Sequence, residues 1–161
     1  MADERPERGD REPPADLEAV FADLRQEVAG ARGDSEVGAR HLRLGEFCLQ
    51  AGRTDLARRA LTVAAGIAPY RFDAARQLAE LAEASGETEA AIGWYEQAAD
   101  AAAPSTEAGH RVLYALAGVL EQAGLSARAL AVLLELQGVA GSSYEDSAAR
   151  VARLSGQLEG G

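Results

Sequence analysis

The sequence predicts an all-helical fold built from a repeated pair of helices. The pattern of residues 44–52 returns 34 residues later at 78–86, and again at 116–124. A repeat period in this range is typical of solenoids, in which each unit packs only against its neighbours. Alanine, the strongest helix former, supplies 36 of the 161 residues. No segment alternates apolar and polar residues as a half-buried strand would.

The first predicted helix covers residues 16–29, with Asp16 as its N-cap and an apolar residue at every third or fourth step. Three helical pairs follow. We place them near 36–51 and 54–67, 71–85 and 88–102, and 106–123 and 126–138. Each pair contains a turn glycine suited to a helix C-terminus, followed two residues later by a hydroxyl residue able to cap the next helix. The glycines are Gly52, Gly86 and Gly124, and the hydroxyl residues are Thr54, Thr88 and Ser126.

The chain ends in one more predicted helix, 143–158, which begins with Ser143 and Asp146 as a capping box. Its single apolar face would close the stack of repeats, as terminal repeats require. Residues 1–14 are charged and rich in proline, and we expect a disordered leader there. The predicted organisation is therefore a leader, one domain over 15–158, and a short tail at 159–161.

Composition narrows the classes of function. The formal net charge is −10, and all 16 basic residues are arginine. This acidic balance argues against binding nucleic acid or an anionic membrane surface through a long-range field. No segment reaches the roughly 18 apolar residues that a membrane helix needs, so we expect a cytoplasmic protein without membrane insertion. Cys48 is the only cysteine, so no disulfide framework is expected.

The repeats resemble the tetratricopeptide repeat (TPR) family. That family places a large and a small residue in the first helix, a glycine at the turn, and alanines, a bulky residue and a proline in and after the second helix. The matching residues are Leu44, Gly45, Gly52, Ala57, Leu61, Ala64 and Pro69 in the first repeat, Leu78, Ala79, Gly86, Ala91, Tyr95 and Ala98 in the second, and Leu116, Ala117, Gly124 and Ala129 in the third. The small residues Gly45, Ala79 and Ala117 would lie where the two helices of a pair cross.

The resemblance implies a bacterial cytoplasmic TPR protein with a C-terminal capping helix. Its fold would be a right-handed superhelical solenoid of three TPR hairpins, with repeats at about 38–71, 72–105 and 110–141. The first helix of each hairpin lines a concave groove in this family, and that groove holds a peptide or a helix of another protein. We therefore expect a non-catalytic adaptor or scaffold, within a bacterial secretion, pilus, motility or regulatory assembly.

The resemblance also implies which residues bind the partner. Leu42 and Tyr114 are expected to provide apolar contacts, and Trp94 is kept as a half-exposed hot-spot candidate, with packing against Pro104 as the equal alternative. Six charged residues are expected to complement the charge of the partner, namely Glu46, Arg76, Glu80, Glu83, Arg111 and Glu121. The lysines and asparagines with which co-chaperone members hold a carboxylate are missing, so we expect a short basic or amphipathic partner segment. The helix at 16–29 is also able to fold into this groove and occupy it.

No catalytic residue, cofactor or metal ligand is predicted. His41 and His110 lie on different repeats, whereas a metal site needs three or four convergent ligands. Cys48 is expected to be a small buried apolar residue. Two alternatives to the adaptor stay open: a structural module that self-associates into a homo-oligomer, and, less favoured, an enzyme-associated domain that uses one of the histidines.

Overall fold

A computed structural model describes residues 15–161, which form eight α-helices without a strand. The helices are α1 Ala15–Gly30, α2 Gly33–Gln50, α3 Thr54–Ala65, α4 Ala68–Ala84, α5 Thr88–Asp100, α6 Thr106–Gln122, α7 Ser126–Ala140 and α8 Ser147–Glu159. The all-α prediction is confirmed for this part of the chain. The predicted leader, residues 1–14, lies outside the described residues.

The three turns within the predicted pairs share one hydrogen-bond pattern. After α2, Gly52 N–H donates to Leu49 O at 3.1 Å, and Arg53 N–H donates to Cys48 O at 2.8 Å. These two bonds define a Schellman motif, which needs a left-handed residue at the glycine position. Gly52 has a φ of 70°, and its equivalents after α4 and α6 have nearly the same value. The sequence prediction of three glycine turns is confirmed.

The predicted hydroxyl caps are wrong. Arg53 lies at the N-cap of α3, and its carbonyl accepts the first helical bond from Ala57 N–H at 2.9 Å. Because the Schellman turn places the cap directly after the glycine, Thr54 already belongs to the helix. Thr88 and Ser126 begin α5 and α7 in the same way, and neither helix has a side-chain cap. Asp16 likewise lies within the first turn of α1.

The last helix begins four residues later than predicted, at Ser147, and the capping box at Ser143 does not form. Residues 142–146 make turns instead, with Glu145 at a φ of 45°. The Asp146 carboxylate accepts a hydrogen bond from the Tyr114 hydroxyl at 2.7 Å. The Asp146 carboxylate, which the predicted capping box needs, therefore bonds to α6 instead.

Each helix packs mainly against the next one along the chain, and α2 also contacts α4. Small residues allow the close approach of helices. A Cβ atom on Gly45 would lie 2.6 Å from Cγ of Leu61, far inside van der Waals contact. Ala79 and Ala117 are fully buried. Gly38 is a further close contact, against the ring of Tyr70, that the repeat pattern did not single out.

Candidate partner-binding groove

A cleft of about 410 Å³ opens between α4 and α6, and we call it the α4–α6 cleft. Its floor is formed by the buried side chains of Phe72, Tyr95 and Val112. Its remaining lining residues are Asp73, Arg76, Glu80, Pro104, Ala108, Arg111 and Ala115. The cleft thus has an apolar base and charged walls, which is the composition of a site that binds an amphipathic segment.

Three of the four charged wall residues form ion pairs along their own helices. Arg76 donates to Glu80 at 2.6 Å along α4, and Arg111 Nε donates to Glu107 at 3.1 Å along α6. All four side chains are about one-third or more exposed. Exposed pairs of this kind contribute roughly 0.3–0.5 kcal/mol each, so a ligand can exchange them at low cost. Asp73 has no ion pair within residues 15–161.

The floor residue Tyr95 contacts Glu83, another of the predicted partner-binding residues. Its hydroxyl donates to Glu83 at 3.0 Å. Burial, followed by the hydrogen bond to Glu83, raises the pKa of Tyr95 well above its usual range. The protonated phenol is thus the donor that orients the Glu83 carboxylate, which does not itself line the α4–α6 cleft.

Three of the nine predicted residues meet in the α4–α6 cleft, namely Arg76, Glu80 and Arg111. Leu42 and Glu46 on α2 do not line it. Leu42 is partly buried against the core cluster of α3 and α4. Glu46 accepts a hydrogen bond from Gln77 Nε2 at 3.2 Å, which fixes its carboxylate against α4.

Tyr114 and Glu121 are occupied by α8, so their prediction as contacts for a partner has to be corrected. The Arg150 guanidinium lies 4.8 Å from the centre of the Tyr114 ring. It also pairs with Glu121 at 2.6 Å, where the two side chains are only 11% and 18% exposed. Arg153 contacts the other oxygen of Glu121. Because α8 carries these arginines on the face that meets α6, it fills the positions that the repeat pattern assigned to a ligand.

Trp94 lies in a separate cleft of about 430 Å³, which we call the Trp94 cleft. The other lining residues come from α3, the turn after it, α4 and α5, namely Thr62, Ala65, Gly66, Arg71, Gln97 and Asp100. Trp94 is partly buried there, as the sequence indicated. Pro104 lines the α4–α6 cleft, whereas Trp94 packs against the two core clusters that involve α3, α4 and α5.

The first helix does not line the α4–α6 cleft. Among the helices, α1 packs principally against α2, with Phe21 buried beside Phe47 and Cys48. The first helix therefore does not occupy the cleft between α4 and α6, although its Val20 and Leu24 line a small pocket that Glu46 of α2 also lines. Phe72 and Val112 were not predicted as cleft residues, although Val112 follows the predicted Arg111 and Phe72 lies about one helical turn before the predicted Arg76.

Residues 15–161 contain no group of three His, Cys, Asp or Glu side chains arranged to hold a metal ion. Nδ1 of His41 donates to Val37 O at 2.7 Å, whereas the ring of His110 packs edge-on against Tyr144. Every helix in this range is too short or too polar to span a membrane. Comparisons with protein-family models and with curated proteins find no match for this chain.

Proposed function

We propose that the protein is a non-catalytic adaptor of the TPR type, which holds a segment of a partner protein in the α4–α6 cleft. Its fold on this proposal is a right-handed superhelical stack of three helical hairpins. Support comes from the three identical Schellman turns, from packing that runs from each helix to the next, and from the close contact between Gly45 and Leu61.

The observation that carries the proposal is the cleft itself. It combines a buried apolar floor with four charged wall residues in about 410 Å³. This volume lies within the range of pockets that bury a small ligand, and it accommodates one or two apolar side chains of a peptide. Catalysis would need a nucleophile or an acid–base pair beside the floor, whereas Arg76, Glu80 and Arg111 on the walls are at least one-third exposed and form ion pairs along their own helices.

Charge indicates which peptide fits. Asp73 and Glu80 line the α4 wall. Glu80 pairs with Arg76, whereas Asp73 forms no ion pair within residues 15–161. A partner residue that carries a positive charge would gain Asp73 and could displace Arg76 from Glu80. A short amphipathic segment with apolar anchors and at least one Lys or Arg is therefore the proposed occupant. Such complementarity also rejects acidic segments.

The test is quantitative capture of partners from the source cell with the parent protein and with Glu80→Arg. Glu89→Arg is the matched control, because Glu89 is exposed on α5 and outside the cleft. We expect Glu80→Arg to lower the yield of the specific partner at least tenfold and Glu89→Arg to leave it unchanged. Equal yields from all three proteins would contradict the assignment of the cleft.

Self-association is the second candidate, and the exposed apolar residues of α7 favour it. Leu134 is 51% exposed and Val139 60% exposed. Two copies could cover these side chains by packing their α7 helices together. Light scattering over a concentration series distinguishes the candidates, since a monomeric mass at every concentration removes self-association and leaves the adaptor.

A further inference from the structure

We propose that the protein has a second binding site, between α1, α2 and α3, that takes a free medium-chain carboxylate. The pocket has a volume of about 270 Å³, and we call it the α1–α3 pocket. Its apolar lining consists of Phe21, Leu44, Cys48, Leu56, Ala60 and Val63. It shares no lining residue with the α4–α6 cleft, so this inference stands independently of the proposed function.

Two arginines that line this pocket, Arg25 and Arg59, differ from the others in their polar contacts. Within residues 15–161, Arg25 and Arg59 alone among the arginines have neither an ion pair nor a hydrogen bond to a protein acceptor. The others pair with carboxylates or, as with Arg32 and Arg71, donate to backbone carbonyls. In a protein of net charge −10, two cations without a carboxylate at one pocket leave a local preference for an anion.

The positions of the two arginines suit an amphipathic ligand. Arg25 comes from α1 and Arg59 from α3, and both side chains are exposed. The Arg25 guanidinium lies 5.9 Å from the centre of the Phe21 ring, which lines the pocket. Burial raises the pKa of the Cys48 thiol, and the charges of Arg25 and Arg53 act in the opposite direction. Arg25 is therefore close to Phe21, a residue of the apolar lining.

Size and polarity select the ligand. A volume of 270 Å³ holds about nine groups at roughly 30 Å³ each, the volume occupied by one water molecule in the liquid. An aliphatic chain of that length fits the apolar lining, and its terminal carboxylate would accept charge-assisted hydrogen bonds from an arginine at the edge. A cation would be repelled by both arginines, and an uncharged chain would leave them without a partner.

Octanoate is the probe, measured by isothermal titration calorimetry and by amide chemical-shift mapping on the full chain. We expect saturable one-to-one binding with a Kd on the order of 0.1 mM. The shifted amides should lie on α1, α2 and α3. Octylamine should not bind, and octanol should bind at least tenfold more weakly than octanoate.

Two variants test the roles of charge and of the apolar lining. The double variant Arg25→Gln with Arg59→Gln should weaken octanoate binding at least tenfold. The double variant Arg128→Gln with Arg153→Gln changes net charge equally at exposed positions outside the pocket, and it should bind as the parent does. Val63→Asp places a negative charge at a lining residue that is 41% exposed, and it should abolish binding while far-UV circular dichroism stays unchanged.

Three results would overturn the inference. The first is no saturable binding of octanoate to the parent protein. The second is chemical-shift changes outside α1, α2 and α3. The third is equal affinity for octanol and octanoate together with full binding by the Arg25 and Arg59 variant, because the arginines would then select nothing.

Discussion

The two terminal helices pack in similar ways but differ in the polar contacts that hold them. α1 buries Phe21, which is 1% exposed, and α8 buries Leu154, which is 2% exposed. Each helix thus uses an apolar side chain to cover an end of the helical pairs. Around these anchors, α8 places its arginines against carboxylates. Beside α1 lies an apolar pocket instead, where Arg25 of α1 and Arg59 of α3 form no ion pair within residues 15–161.

At the C-terminal end, the polar contacts are partly shielded from water. Arg150 pairs with Glu121 and lies over the ring of Tyr114, while Tyr114 donates to Asp146. At the N-terminal end, Glu18 pairs with Arg53, and Glu27 with Arg43, but all four side chains are more than one-third exposed. Shielded pairs hold a fixed arrangement, whereas exposed pairs contribute little. The contacts of α8 are therefore partly buried, whereas those of α1 are exposed and leave the α1–α3 pocket beside that helix.

The largest effect is expected from Phe21→Ala. Removing this ring should cost about 3 kcal/mol of unfolding free energy, since Phe21 packs against Phe47 and Cys48 with its ring 4.9 Å from that of Phe47. Urea unfolding measures the loss, and amide exchange should show α1 opening while α5 to α7 stay protected. Val20→Ala is the control, because Val20 is 40% exposed, and it should cost under about 0.5 kcal/mol. A loss below about 1 kcal/mol for Phe21→Ala would contradict the role of α1.

Arg150→Ala should have the next largest effect, about 2 kcal/mol of unfolding free energy. The substitution leaves Glu121, only 18% exposed, without its shielded cation. Arg153→Ala removes a contact to the same carboxylate from a side chain that is 53% exposed, so it should cost under about 0.5 kcal/mol. Equal losses of unfolding free energy for the two variants would contradict the claim that the more buried pair, Arg150 with Glu121, stabilises the fold more than the contact from Arg153.

The smallest effect concerns pH. The hydrogen bond to Asp146, followed by burial, raises the pKa of Tyr114 above its ordinary value of 10.0. The protonated hydroxyl therefore contributes stability that is fully present below pH 10, and this contribution is lost as pH rises through the higher folded pKa. Between about pH 9.5 and 11, the Tm of the parent should fall more steeply than that of Tyr114→Phe.

Far-UV circular dichroism measures the thermal unfolding of the parent and of Tyr114→Phe without interference from tyrosine ionisation. Tyr95, Tyr144 and Cys48 titrate in both proteins, so their contributions cancel in the difference. Parallel pH profiles would show that the bond from Tyr114 to Asp146 does not stabilise the C-terminal end.

The helices were predictable because their signals are local. Apolar spacing and the glycines Gly52, Gly86 and Gly124 place α2 to α7 within a few residues of their observed bounds. Arg76, Glu80 and Arg111 were also predictable as cleft residues, since a repeating face on consecutive first helices puts them on facing walls.

What the sequence could not predict depends on contacts between distant helices. Tyr114 and Glu121 have the pattern of groove residues, and only the docking of α8 shows that Arg150 occupies them. The late start of α8 has the same origin, because Asp146 bonds to Tyr114 rather than to its own helix. Arg25 and Arg59 carry no motif at all, since the absence of a partner carboxylate is visible only in three dimensions.

Site-specific photo-crosslinking in the source cell tests whether the α4–α6 cleft holds a partner protein. A photoreactive amino acid replaces Ala108 in the α4–α6 cleft or, as the matched position, Thr62 in the Trp94 cleft. We predict that position 108 crosslinks to one partner through an amphipathic segment carrying Lys or Arg, and that position 62 does not. Crosslinking of that partner from position 62 alone, or equally from both positions, would contradict the claim that the α4–α6 cleft is the binding groove.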